Sequence, residues 1–294
     1  MPMSSWLPVA SLLLSATLWG LLWLPLRLLE GAGLHGLWTT LIIFGAPLCL
    51  GLLSLFRRRH ELVMHPKRLL IFALANGWCN TAFILAVLDG NVVRVLLLFY
   101  LSPLWAVLLG KFILKEVLTP GARMTLILAM FGAMLMLWHP SLNVPWPQGP
   151  ADWLAISSGF AFALSNVIVR WLHDISVPTK TIVSWWGCAF VAAAAIMALG
   201  LSAPDMTPGL LGGSMALGVF GITVMTLAVI YGVANMPIHR SAVILLFELV
   251  AGTVSSQLLT DEVVLLREWI GGVLIISAAW FAAHAHMRAR DVPE

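Results

Sequence analysis

Hydrophobic positions run along this chain in ten blocks, each about as long as a membrane span and each closed by a short polar break. They lie at about 5 to 27, 35 to 56, 66 to 88, 92 to 114, 120 to 138, 150 to 172, 178 to 200, 209 to 232, 239 to 259 and 265 to 286. A hydrocarbon core about 30 Å thick takes about 20 residues of helix at 1.5 Å each, so every block is long enough to cross one. Only helices and closed barrels satisfy their backbone groups in lipid. Barrel strands alternate at every second residue, whereas runs such as Val95-Leu96-Leu97-Leu98-Phe99 do not alternate at all. The pattern therefore predicts an all-α membrane protein with ten transmembrane helices. Its longest breaks, around 57 to 66, 139 to 150 and 201 to 208, are about a dozen residues or fewer and leave no room for a soluble catalytic or nucleic-acid-binding domain.

The blocks also repeat. A shift of 146 residues lays every block on another, with Arg94 on Arg240, Glu116 on Glu262 and Val117 on Val263, and no gap between Asn91 and Glu116. Each half holds five spans, an odd number, so the second half must enter the membrane inverted. Two five-helix units are expected, 1–140 and 150–294, joined by a tie at 141–149 in a stretch that carries Pro140, Pro145, Pro147 and Pro150. Inverted-topology repeats are a recurring plan of secondary transporters, which bind substrate near the midplane between the repeats and rock one part against another. Duplicated channels and membrane enzymes also exist, so the repeat favours transport over those two without removing them.

Composition agrees with the pattern, at 61% hydrophobic residues and 10% charged, against about 25% charged in soluble domains. The net charge of +3 matters through its placement. With an even number of spans both termini share a face, and that face collects Arg57, Arg58, Arg59, Lys67, Arg68, Lys111, Lys115, Arg123, Arg170, Lys180, Arg240, Arg288 and Arg290. The other face keeps Arg27, Arg94 and Arg267. The positive-inside rule then puts both termini in the cytoplasm. The absence of any Asn-x-Ser/Thr sequon leans towards a bacterial inner membrane. Met1 to Ser5 has no basic residue, and Trp19, Pro25 and Arg27 suit a cleaved signal peptide poorly, so the first span is expected to be retained. Cys49, Cys79 and Cys188 all fall inside spans and number three, so neither a disulfide framework, a metal site nor a cofactor is expected.

A family resemblance rests on Trp19-Gly20 in the first span, Ser102-Pro103-Leu104 leading to Leu114-Lys115-Glu116 in the fourth, and Gly132 in the fifth. The second copy contributes Leu259-Thr260-Asp261-Glu262 and Gly271-Gly272. On these residues the whole chain resembles the drug/metabolite transporter superfamily, of the ten-span EamA type, and within it the aromatic amino-acid exporters of the YddG type. It departs from the pattern at Leu249, where the family often carries the proline seen at Pro103, and where Glu248 stands alongside. The resemblance implies alternating-access export of small metabolites, with aromatic or other large apolar amino acids favoured, and no ATP motor. No Gly-x-x-x-x-Gly-Lys-Ser/Thr phosphate loop occurs in the chain. The alternatives are a multidrug or cationic-toxin exporter and a passive channel. Expected partners are a small-molecule substrate and the bilayer, without nucleic acid, and two five-span halves need no oligomeric pore, so a monomer suffices.

Ionisable side chains inside a membrane are expensive and point to function. Glu248 lies nine residues into the ninth block, near the midplane. There it either faces water and holds an ammonium group or a proton, which is the expectation, or stays protonated against a neighbouring helix. Asn76 and Asn80, four apart on one face of the third span, serve equally well as site residues or as interhelical glue. Trp6, Trp138, Trp146, Trp153, Trp171 and Trp269 fall near span ends, where an interfacial belt accounts for them. Among the deeper aromatic residues, Trp19, Trp23, Phe83, Tyr100, Trp185 and Tyr231 are candidates to line a cavity for flat or apolar side chains, with plain packing as the alternative for each. Glu116 and Glu262, at the membrane boundary, suit structure or gating better than substrate binding. No enzyme is expected: His60-Glu61-Leu62-Val63-Met64-His65 approaches a zinc-protease motif, but its second His comes one residue late and the two rings diverge by about 140° on a helix.

Overall fold

A computed structural model of the chain describes residues 6–138, 147–260 and 264–290, and all regular structure among them is helical. Ten of the described helices are long and apolar enough to cross a membrane: Leu7–Gly31, Gly36–Arg57, Pro66–Asp89, Arg94–Leu114, Pro120–Leu137, Pro150–Trp171, Val177–Ala198, Pro208–Ala234, Ile238–Leu259 and Leu266–Met287. Asp261, Glu262, Val263, Trp146 and most of the proline-rich tie lie outside the described residues. The expected boundaries hold within a few residues, the largest difference being the end of the first span. Arg27 does not stop that helix: its guanidinium lies over the Trp23 ring, 5.8 Å from the centroid. The stop comes at Gly33, whose φ of 93° lets Leu34 N–H reach back to the Leu29 carbonyl at 3.0 Å.

Local chemistry explains the other starts. Side chains of His35, Asn91, Thr119, Ser176 and Thr207 accept the first free N–H groups of their helices, and prolines occupy the opening turns at Pro66, Pro120, Pro150, Pro178 and Pro208. Between the sixth and seventh spans, fully buried Lys180 donates from Nζ to the carbonyls of Val169 and Leu172, at 3.2 and 3.0 Å. A cation there satisfies the last carbonyls of the sixth helix and complements its dipole.

The third span packs on the sixth and seventh, the eighth on the first and second, the fourth on the sixth, and the ninth on the first. The second also packs on the seventh, the fourth on the ninth, and the fifth on the tenth. Exchanging the first five spans with the second five returns the same set of pairs. The fifth and tenth touch backbone to backbone: a Cβ on Gly132 would lie 2.7 Å from the Gly271 oxygen, and one on Gly271 would lie 2.5 Å from the Gly132 oxygen. Such approach is how helices gain dispersion energy in lipid, where burial of apolar surface supplies little. Around the outside, large apolar side chains such as Phe112, Met197 and Leu258 stand exposed, as a lipid-facing surface requires.

Two spans are interrupted at matching places. The fourth stops at Phe99 and resumes at Ser102, and the ninth stops at Leu245 and resumes at Phe247. Tyr100 and Leu246, the residues at the breaks, stand 146 apart. In the fourth span Pro103 accounts for the break, since it lacks an N–H and its ring crowds the carbonyl four residues back. The ninth has no proline there, yet Leu246 and Leu249 N–H groups each bond three residues back, to Val243 and Leu246, in the same tightened turn.

Candidate substrate site

The paired breaks enclose an inner cavity of about 20 Å³, which is space for a single water. Phe99, Tyr100, Ser102 and Pro103 of the fourth span line it, with Phe162 and Asn166 of the sixth and Ile238, Ser241, Leu245 and Glu248 of the ninth. The tightened turn at Leu246 places Glu248 in the opening turn of the half-helix Phe247–Leu259, and Tyr100 occupies the corresponding corner of the fourth span. Tyr100 and Glu248 line the same cavity, one from each half of the chain. Phe99, edge-on to both Tyr100 and Phe83 and tilted against Phe162, makes the flanking walls aromatic. Among the described lining residues there is no Lys or Arg. The arrangement offers one carboxyl, a phenol and an amide inside an aromatic shell.

The structure thus brings Glu248 and Tyr100 together and puts Phe83 one ring behind them. Asn76 and Asn80 lie elsewhere, on the seam between the third and seventh spans. Asn76 Nδ2 donates to Ser184 Oγ at 2.8 Å, Asn80 Nδ2 donates to the Asn76 carbonyl at 3.0 Å, and Cys188 Sγ sits beside both amides. Trp185 is buried in a second apolar cluster formed by the first, second, seventh and eighth spans, with partly buried Trp19 packed on it. The Trp185 Nε1–H has no hydrogen-bond partner. Trp23 Nε1 donates to Ser255 Oγ at 2.9 Å, bridging the first and ninth spans. Partly buried Tyr231 lends its carbonyl to Asn235 Nδ2 at 2.8 Å. Asn166, Ser102 and Ser241 were not among the residues the sequence offered for the site. Asn166 had a signal, being the one amide in the sixth block, but serines satisfy themselves on their own helix in any span.

Each end of the bundle carries an ionic tie. At one end, Glu116 Oε1 accepts from Arg170 Nε at 2.5 Å, Glu116 Oε2 accepts from Ile238 N–H at 2.8 Å, and Arg170 Nη1 reaches the Ala234 carbonyl at 3.3 Å. The fourth span reaches Glu116 through a widened turn, Gly110–Leu114, and through Lys115, which takes the left-handed conformation at φ 56°. On the same end Glu61 Oε2 accepts from the N–H and hydroxyl of Ser176, and His65 pairs with Asp174. At the opposite end, Arg94 Nε donates to Asp152 Oδ2 at 2.7 Å, which also accepts the Gln148 N–H at 2.8 Å. Arg94 is thus a buried partner between the fourth and sixth spans.

Glu61 and Asp174 lie outside the spans. Burial works to raise the Glu61 carboxyl, but hydrogen bonds from Thr179 and Ser176 and the charge of Arg58 hold it below its ordinary range. The slight burial of Asp174 also raises, and the hydrogen bond with His65 outweighs it, so that carboxyl too is lowered.

Comparison with known proteins fits this architecture. The profile of the EamA-like transporter family matches the chain twice, over residues 6–138 and 149–283. An uncharacterized transporter of Pseudomonas aeruginosa is 26% identical over 183 residues, which is 57% of this chain and 56% of that protein, so the match spans about half of each. A solved crystal structure of a protein superposes with a TM-score of 0.74 over 97% of this chain and 99% of the other, at 17% identity, a likeness of fold alone.

Proposed function

The chain belongs to the EamA-like transporter family, and from that premise we propose that it is a secondary transporter exporting amino acids with aromatic or large apolar side chains across the bacterial inner membrane. The observation that carries the reading is the inner cavity at the two broken spans. Glu248 and Tyr100 there suit an ammonium group, and Phe99 and Phe162 suit a flat side chain. The opening turns of the half-helices Ser102–Leu109 and Phe247–Leu259 also border the cavity. Helix N-termini carry partial positive charge and complement a substrate carboxylate at such breaks.

Two further features support inverted halves that alternate in access. The family profile matches once in each half, at 6–138 and 149–283, and the span pairs named above are unchanged when the halves are exchanged. At about 20 Å³ the cavity is too small for an amino acid, so admitting one requires the spans around it to separate. The end carrying Lys111, Lys115, Arg123 and Arg170 faces the cytoplasm in this reading, as the positive-inside rule has it, with both termini on that side.

The test is counterflow: proteoliposomes loaded with unlabelled phenylalanine are followed for uptake of labelled phenylalanine, with Glu248→Gln in parallel. Saturable accumulation, reduced at least about tenfold in the variant at equal protein content, is expected; a tenfold loss equals about 1.4 kcal/mol of binding or transition-state stabilisation. Uptake proportional to the gradient identifies a channel. Accumulation of organic cations instead of phenylalanine identifies the drug-exporter alternative, for which the lone carboxylate of the cavity would serve.

A further inference from the structure

A cleft of about 560 Å³ opens at the Glu116 end between the fourth, fifth and ninth spans, lined by Lys111, Lys115, Arg123 and His239 among others. Of the described residues lining it, only Ile238 also lines the inner cavity. The Ile238 side chain is 2% exposed and rests on Gly110, where any Cβ would meet its Cγ2. Its main-chain N–H is the group that Glu116 Oε2 accepts, at 2.8 Å. Arg170 grips the other carboxylate oxygen and also ties down the Ala234 carbonyl just before the ninth span. The one described residue that lines both spaces is therefore held from both sides, by a glycine that makes room for it and by an ion-paired carboxylate that accepts from its backbone N–H. Lys115, beside Glu116, is the only described residue other than glycine with positive φ. Strain of this kind persists where its surroundings over-determine it, and it concentrates at switch regions.

We infer that Ile238, seated on Gly110 and held by Glu116 and Arg170, is the gate between the substrate cavity and the cleft, and that the cleft is the vestibule leading to the site from the Glu116 end. The inference rests on the transport reading. An apolar side chain filling a narrow passage stops polar solutes because water leaves the constriction. Breaking the Glu116 bond to the Ile238 N–H frees the start of the ninth span, and the same movement that lifts Ile238 from Gly110 joins the two spaces. The inner gate and the substrate site then share one span, on either side of its break at Leu246, since Glu248 lies ten residues further along.

The experiment places Ala242→Cys on the inner cavity wall of the purified full-length protein and measures its modification by a membrane-impermeant maleimide, read at the peptide containing position 242. Relative to the Ile238 parent, labelling is expected to quicken about tenfold or more in Ile238→Ala, the effect of removing about 1.4 kcal/mol from a barrier. Glu116→Gln, which keeps the plug but leaves one acceptor oxygen for the two donors Arg170 Nε and Ile238 N–H, is expected to quicken labelling as well and guards against an Ile238→Ala variant that melts early. Labelling at the parent rate in both variants, at unchanged melting temperature, overturns the gate. A cycle adds the second check: Gly110→Ala lowers phenylalanine counterflow by pushing Ile238 away, and Gly110→Ala with Ile238→Ala restores part of it, whereas independent sites give additive losses. Labelling needs no substrate, so failure of phenylalanine counterflow alone strikes the amino-acid reading, while intact counterflow with unchanged labelling strikes the gate alone.

Discussion

The two ends of the bundle are held shut by different means. At the Arg94 end the pair with Asp152 is buried, with side chains 10% and 9% exposed, and it joins the fourth span to the start of the sixth. At the Glu116 end the pair with Arg170 is more open, at 29% for the arginine and 17% for the glutamate. It involves the fourth, sixth, eighth and ninth spans and stands beside a cleft of about 560 Å³. A charge pair out of water loses much when one partner goes, because the other stays behind desolvated. A pair that water reaches loses little. The first tie therefore suits a fixed joint and the second an opening one.

Cutting each tie separately tests that difference. Asp152→Ala should have the largest effect on stability, about 3 to 5 kcal/mol as for one partner of a buried pair, measured as a fall in the unfolding midpoint in detergent. Glu116→Gln should lower stability by about 1 kcal/mol or less while cutting counterflow about tenfold. If both variants lose equal stability, or if Asp152→Ala spares stability and abolishes only transport, the division into joint and gate fails.

The smallest effect concerns the loops at the Glu116 end. Glu61 is held below its ordinary value of 4.5 in the folded protein, with hydrogen bonds from Thr179 and Ser176 outweighing the upward push of burial. A depressed folded value means that its contribution is fully present above 4.5 and is lost as pH falls through the lower folded value. Melting temperature should hold steady from neutral pH to about 5 and decline below about 4, with a shallower decline in Glu61→Gln. An identical decline in that variant would assign the slope to other carboxylates, Asp174 among them.

Sequence patterning carried far on the fold and only part way into the site. The break at Leu246 shows one limit. A proline at 249 would have announced it, as Pro103 announces the break in the fourth span, but here the ninth span bends without one. Only the packing of Gly20 against the carbonyl of Glu248, where a Cβ would lie 2.6 Å away, makes clear how tightly that turn is clasped by the first span. Glu248 itself was legible because a carboxylate amid apolar neighbours is conspicuous. Asn76 and Asn80 were equally conspicuous, and the structure places them on Ser184 and Cys188 instead of in the cavity.

The sequence by itself determined the ten spans, their approximate ends and the small set of polar residues worth following. Those properties follow from transferring each segment into lipid, which depends on local composition alone. Tertiary structure decided which polar residues come together: Glu116 with Arg170, 54 residues on, Arg94 with Asp152, 58 residues on, and Tyr100 with Glu248 in one cavity between the two halves. Spans that are apolar all round show no single face to be buried, so nothing along the chain says which side of each helix turns inward. Close packing of small residues and a few bonded polar groups settle that in lipid, and both come into being only when the helices are in contact.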